Sequence, residues 1–391
     1  TNINTTPAPP LGTLISSLRT IDLDGTSDEL SKDAKITGTR DIASFNWMNE
    51  DDASIIVPGK PPLWTPLRWS RKLMQDSGNY FRDLNAARYP KHPMEPAVEA
   101  ILISEPKFPI ASVDVFACGS TLGNLLRFAS GTSEKSFRIL VEAVGNTVFF
   151  IRRENSPKEL IQGVVGFGHS FPEAYTTWDP DVKGSDSHQR IVQYDFSGLS
   201  CIVRLEGDGY YKDMVSDAKN LSTSAPGSSP GTDVPLEDLF QSSLNTRTEN
   251  SASSSQSNAL QVRAGGHQIP HSAVFDLKTR SIRRANDDNI SPELPRLWIR
   301  QIQNFLLAYH AHGVFNDIQK IDVRDKIEQW EEDNQIHLRR LKELLKKIIA
   351  AVRERKDGKL EIVKGEGGLL ELREQGGTSN DVLSPSVRAR W

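Results

Sequence analysis

The chain has 391 residues, with 47 Lys and Arg against 51 Asp and Glu and a formal net charge of −4, long enough for two or three domains or one large one with insertions. A mean hydropathy of −0.45 and 37% hydrophobic residues describe an ordinary globular composition. No run approaches the roughly 18 apolar residues of a membrane helix, and a start rich in Thr and Pro lacks the basic and apolar parts of a secretory signal. No membrane partner is expected, the expected location is cytoplasmic or nuclear, and a pI near 6.1 excludes a surface coated in positive charge while allowing a local basic channel.

Residues 1–40 are Thr-, Pro-, Ser- and Asp-rich with little periodic apolar content, and read as a flexible N-terminal tail ordered only where it docks. Structure is expected to start near Ser44-Phe45-Asn46-Trp47, followed by a short strand, Ile55-Ile56-Val57, that Pro58 and Gly59 stop. Pro93 to Ser104 spaces Val98, Ile101 and Leu102 along one face of a short helix. Between Val113 and Arg153 strands alternate with a helix: SVDVFACG, then TLGNLLRFA, then FRILVEAV turning at Gly145-Asn146 into TVFFIRR, a hairpin signal. Cys118 and Cys201 lie in such apolar runs and read as buried thiols, not as a disulfide or zinc ligands.

A helix is expected around His169 to Thr177, then two strands, RIVQYDF and SCIVRLEGDGYY, joined at Ser197-Gly198. Residues 214–268 are so dense in Ser, Asn, Thr, Gly and Pro that burial cannot offset the cost of ordering them, which reads as a disordered insertion. A strand resumes at Ala273-Val274-Phe275-Asp276-Leu277-Lys278. Leu294 to Tyr309 reads as an amphipathic helix, Val314 to Val323 as a strand, residues 326–358 as a long basic helix, and 359–391 as a C-terminal tail. The Lys- and Arg-rich face of that long helix is the expected surface for a protein partner. Trp47, Trp64, Trp69, Tyr80, Phe81 and Tyr89 among several Arg are a base-stacking candidate whose plainer reading is a core with a charged rim.

The sharpest chemical signal is a pair of strand ends. In Val203-Arg204-Leu205-Glu206-Gly207-Asp208 the two-residue period of a strand places Glu206 and Asp208 on one face, and the same period aligns Asp276 with Lys278. Side by side, the two strands present three carboxylates and one ammonium. Such oxygens hold a hard divalent cation, which grips phosphate and acidifies a bound water, while the Lys stabilises charge growing on phosphorus. That is the equipment of phosphodiester hydrolysis. Single E-x-D or D-x-K matches also arise by chance at solvated strand ends.

In chain order come GFGHSFPE ending at Glu173, the strand ending at Glu206 and Asp208, the strand with Asp276 and Lys278, LWIRQIQNFLLAY with Gln301, and then Val314-Phe315. This order resembles the PD-(D/E)XK nuclease fold as built in the DXO family of RNA 5′-end decapping and decay enzymes, over roughly residues 110–325. The resemblance implies an α+β (mixed α/β) fold, a mixed central β-sheet flanked by helices, with the nuclease domain spanning 41–325. It implies Mg2+ or Mn2+ held by Glu173, Glu206, Asp208, Asp276 and the carbonyl of Leu277, with Lys278 and Gln301 facing the scissile phosphate. The substrate it implies is an RNA 5′ end, not DNA, from which caps are removed or nucleotides released in the 5′-to-3′ direction.

This chain departs from the family at three points: Pro172 precedes Glu173, Asp276 stands for the commoner Glu, and Gly119-Ser120 stands where the family has an Arg. Arg127, Arg152 or Arg153 then has to clamp phosphate in its place. Two readings follow, a divalent-metal phosphohydrolase and an inactive scaffold or RNA- or protein-binding module on the same fold. An isoprenyl diphosphate synthase is the lesser alternative, because Asp51-Asp52 and Asp287-Asp288 each lack the third Asp of the paired DDxxD clusters that hold diphosphate.

Overall fold

The computed structural model describes residues 6–24, 33–215, 259–377 and 380–391. Its strands, in chain order, are β1 (Leu14–Leu18), β2 (Ile36–Met48), β3 (Ser54–Gly59), β4 (Leu63–Trp64), β5 (Val115–Cys118), β6 (Phe137–Val144), β7 (Thr147–Arg153), β8 (Thr176–Thr177) and β9 (Ser185–Phe196). These are followed by β10 (Leu199–Glu206), β11 (Gly209–Tyr210), β12 (Gln261–Gly266), β13 (Val274–Ser281), β14 (Asn304–Ala311), β15 (Val314–Asp322), β16 (Lys359–Lys364) and β17 (Leu370–Arg373). The α-helices are α1 (Leu84–Arg88), α2 (Glu95–Ser104), α3 (Gly119–Ala129), α4 (Ser170–Tyr175), α5 (Leu294–Arg300), α6 (Arg324–Asp333), α7 (Gln335–Arg353) and α8 (Pro385–Arg388).

An eleven-stranded sheet runs β1-β17-β16-β6-β7-β5-β10-β9-β2-β3-β12, and a six-stranded sheet runs β15-β14-β13-β11-β4-β8. Strand alternation gives the large sheet two apolar faces. Cys201, Val203 and Leu205 of β10 point into a core shared with α3, α5 and α7, while Ile202 points into the core that α2 and α8 cover. The expected hairpins form. Ser197 and Gly198 between β9 and β10 both take positive φ (52° and 91°), the backbone a two-residue turn needs to match strand twist. Cys118 and Cys201 are free and buried.

The feature that builds the site is a crossing between sheets. β10 pairs with β9 and β5 in the large sheet, and after only Gly207 and Asp208 the chain enters β11 of the second sheet, where Gly209 pairs with Phe275 of β13. A side-chain carbon at Gly209 would lie 2.3 Å from the Phe275 ring, so the crossing requires glycine there. Glu206 and Asp208 are thereby carried beside Asp276 of β13.

Several expectations need correction. Within the expected tail 1–40, β1 pairs antiparallel with β17, and Leu23 is buried in the main core. The expected tail 359–391 supplies β16, β17 and α8, and places the Trp391 ring 5.8 Å from Phe116 and 5.7 Å from Phe149. Both segments are held by partners hundreds of residues away, which local periodicity does not register. Of the expected insertion 214–268, residues 216–258 lie outside the described residues, whereas Gln261–Gly266 is a strand parallel to β3.

The long basic helix is two helices, α6 and α7, meeting at Asn334. Their apolar stripe, with Leu338, Leu341, Leu345, Ile348 and Val352, is buried in the main core. The run Leu294 to Tyr309 is helical only to Arg300. Gln301 takes a left-handed conformation (φ 55°), and Phe305 to Tyr309 are the buried centre of β14, parallel to β13 and antiparallel to β15, since an unbroken apolar run suits a strand covered on both faces.

Candidate functional site

Asp276 is 1% exposed at the junction of the sheets, and two guanidinium groups hold it. Arg296 Nη1 lies 2.8 Å from Oδ1 and Arg300 Nη1 lies 2.8 Å from Oδ2. Four residues apart on α5, the two arginines share one helix face. Glu293, just before α5, extends the network: its Oε2 takes Arg296 at 3.0 Å, and its Oε1 takes Lys278 at 3.3 Å and Arg280 at 3.2 Å. On the other side, the Leu277 N–H donates to Asp208 Oδ2 at 2.7 Å.

Burial, and then the charges of Asp276 and Glu206, push the Asp208 carboxyl up to about 8. Glu206 is raised too, first by the bulk of protein around it and then by the charges of Asp186 and Asp276, although the residue itself is exposed. Burial opposes the charge on Arg296, but Asp276, Glu293 and Asp208 outweigh it and raise its pKa. A pH dependence follows. The unfolded chain sheds the Asp208 proton near the ordinary 3.8 while the folded chain keeps it to about 8, so across that window stability falls as pH rises. Asp208→Asn, which retains an oxygen for Leu277, is expected to flatten that fall. Denaturant midpoints at acidic and mildly alkaline pH check this: a gap between wild type and variant that is equal at both means that Asp208 does not titrate there.

Arg300 also reaches a second feature. A side-chain carbon at Gly119 would lie 3.5 Å from Arg300 Cγ and 3.7 Å from its Nε, so the guanidinium stem lies over the start of α3 in the room that Gly119 leaves. Beside it is a cavity of about 200 Å3 lined by Arg82, Arg152, Arg204, Arg300, Ser120 and Glu206, among others. Arg204, 4% exposed, is braced by donating to the Pro93 carbonyl at 2.8 Å. Arg300 Nε is buried and has no hydrogen-bond partner among the described residues. The cavity also borders the N-terminal end of α3, whose first N–H groups and helix dipole favour negative charge.

Helix α5 is held firmly. The Trp298 ring is 2% exposed, packs at 5.6 Å from Phe196 and 5.5 Å from Trp330, and its Nε1 donates to Glu331 at 2.7 Å. His271, whose pKa burial drives down to about 3, stays neutral and places Nε2 3.1 Å and 3.0 Å from the carbonyls of Arg300 and Gln301. Trp298→Ala is expected to cost about 3–5 kcal/mol, read as a lowered denaturant midpoint; a loss below about 1 kcal/mol would mean that α5 is positioned by other contacts.

Of the residues singled out from sequence, Glu206, Asp208 and Asp276 converge, Lys278 joins them through Glu293 and Arg296, and Leu277, expected to offer its carbonyl, meets Asp208 through its N–H. Gln301 does not face them. Its Nε2 donates to the Trp298 carbonyl at 2.6 Å and its Oε1 accepts from Thr39 at 3.1 Å, because the left-handed turn at the end of α5 directs it away. Glu173 stands exposed on α4, and among the described residues no group of three His, Cys, Asp or Glu is placed to hold a metal. Arg152 lines the cavity, but Arg153 is turned into the sheet edge, bound to Glu361 at 2.9 Å and the Gly376 carbonyl at 2.6 Å. Arg296, Arg300 and Arg204 were not singled out from sequence, and Arg82 was read only as one of the arginines among the base-stacking aromatics. The signal for the first two is their four-residue spacing in LPRLWIR, immediately after Glu293.

The donor set as arranged does not fit Mg2+ or Mn2+. A hard divalent ion needs several anionic oxygens free to turn toward it, yet both oxygens of Asp276 lie 2.8 Å from guanidinium nitrogens, Oδ1 by charge contact without a hydrogen bond, and one oxygen of Asp208 faces an amide. No helix among the described residues is long and apolar enough to cross a membrane.

A family model described as "Domain of unknown function (DUF8563)" matches residues 25–366. No curated protein sequence matches the chain. Among solved structures, S. pombe Rai1 superposes with a TM-score of 0.56 at 10% identity, over 92% of this chain and 99% of that one. Candida albicans Rai1 in complex with pU5-Mn2+ gives 0.52 at 10% identity, over 99% of each chain. K. lactis Dxo1 in complex with manganese gives 0.50 at 8% identity, over 93% of this chain and 98% of that one. The mixed α+β fold expected from the motif order is therefore the DXO-type fold, carried in divergent form and extending well beyond the segment that the motifs span.

Proposed function

The chain belongs to the DUF8563 family and shares the fold of Rai1 and Dxo1, and on that footing we propose that it binds the phosphorylated 5′ end of RNA in the arginine-lined cavity beside Glu206. The observation that carries this reading is Arg300: one nitrogen is fixed on Asp276 while the residue lines a cavity that Arg82, Arg152 and Arg204 share. Guanidinium groups grip phosphate oxygens through charge-assisted hydrogen bonds, and a terminal phosphate carries more negative charge than an internal one. At about 200 Å3, below the roughly 300–1,000 Å3 of sites for larger ligands, the cavity suits a terminal phosphate. An overall charge of −4 agrees with a local contact of this kind and with weak non-specific binding to long nucleic acid.

Fluorescence anisotropy with matched oligouridylates tests the reading. The 5′-phosphorylated strand is expected to bind at least tenfold more tightly than the 5′-hydroxyl strand, and equal affinities would sink it. A second reading, a divalent-metal hydrolase removing caps or nucleotides from RNA 5′ ends, is favoured by the convergence of Glu206, Asp208 and Asp276. Mn2+-dependent release of nucleotides from 5′-labelled RNA, lost in Asp276→Ala, would establish that second reading.

A further inference from the structure

We infer that the guanidinium groups of Arg296 and Arg300 occupy the place of a divalent cation, so that the carboxylate centre is closed to Mg2+ and Mn2+ and serves instead to aim Arg300 into the cavity. The cations sit where an ion would have to sit, one on each oxygen of Asp276 at 2.8 Å. They arrive from a single helix face, and that helix is pinned by the buried Trp298 and by His271 beneath its last carbonyls. Cations already crowd the carboxylates: Arg296, Arg300, Lys278 and Arg280 stand against Asp276 and Glu293, with Glu206 and Asp208 beside them. A divalent ion seeking Asp276 would meet two fixed positive charges, and binding there requires breaking two ion pairs.

The loss of a side chain at Gly119 and the presence of Arg300 are complementary. Arg300 Cγ and Nε lie 3.5 Å and 3.7 Å from where a carbon at position 119 would stand, so an arginine delivered from α5 fills room that α3 leaves open. Asp276 is then a positioning residue. It fixes Nη1 of an arginine that lines the cavity.

Only the cavity-facing half of this inference rests on the RNA reading; the metal half is tested without RNA. The full chain is titrated with Mn2+ and free ion is followed by electron paramagnetic resonance, beside the variant Arg296→Met/Arg300→Met, whose folding is checked by circular dichroism. Wild type is expected to show no saturable Mn2+ site through millimolar ion, and the double variant to gain one bound at least tenfold more tightly. Stoichiometric Mn2+ binding by wild type that Asp276→Asn abolishes would overturn the inference, as would a folded double variant that still binds no Mn2+. Should the double variant fail to fold, Arg296→Met and Arg300→Met singly replace it, each expected to bind Mn2+ measurably better than wild type, and neither doing so counts against the inference. If these arms hold while 5′-phosphorylated RNA is not preferred, the metal-free centre stands and only the RNA reading falls.

Discussion

Asp276→Ala is expected to destabilise the protein by about 2–4 kcal/mol in the absence of any metal. Removing one partner of a buried ion pair leaves uncompensated charge and typically costs about 3–5 kcal/mol; partial hydration of Arg296 and Arg300, 33% and 17% exposed at their side chains, trims this. The sign is what matters. In an open carboxylate cluster awaiting a cation, deleting one acid relieves repulsion between like charges, and the apo protein gains stability or stays level. Here the same deletion strands two guanidinium groups. Urea unfolding of both proteins in EDTA reads the difference, and a variant as stable as wild type would show that the arginines do not depend on Asp276. Asp276→Asn, which keeps one oxygen, should fall between.

Arg300→Ala is expected to weaken binding of 5′-phosphorylated RNA about ten- to hundredfold, as a charge-assisted hydrogen bond contributes roughly 1.5–3 kcal/mol. Stability should suffer less than in Asp276→Ala, because Arg296 still pairs with Asp276. Arg300→Lys should recover only part of the affinity: an ammonium cannot face Asp276 and the cavity with separate nitrogens as a guanidinium does. The slope of log affinity against log salt should shrink by about one in Arg300→Ala. Arg127→Ala, on α3 but not lining the cavity, should leave affinity unchanged. Anisotropy titrations at several salt concentrations check all three variants, and an Arg300→Ala protein that binds as wild type does would remove the cavity from the account.

Part of the carboxylate cluster was legible in the sequence because side-chain alternation needs only the local chain: Asp276 and Lys278 follow the two-residue period along β13, whereas β10 ends at Glu206 and Asp208 reaches Asp276 through the crossing between sheets. The hairpins at Gly145-Asn146 and Ser197-Gly198 were legible for the same reason. What local reasoning does not carry is the partner of each group. Arg296 and Arg300 read as the polar side of an amphipathic helix until β13 and α5 lie together and Asp276 claims both. Gln301 fits the motif spacing, yet a single left-handed residue at the end of α5 turns it away and leaves Arg300 in the site. The terminal segments read as tails because β1 and β17 are modest strands alone and become structure by pairing with each other and, through β16, with the large sheet.

The most direct measurement is the affinity of the wild-type chain for a 5′-phosphorylated oligonucleotide in EDTA and again in Mn2+. A centre built from guanidinium groups predicts the same affinity in both, at least tenfold above that for the 5′-hydroxyl strand. Binding that appears only when Mn2+ is added would contradict it.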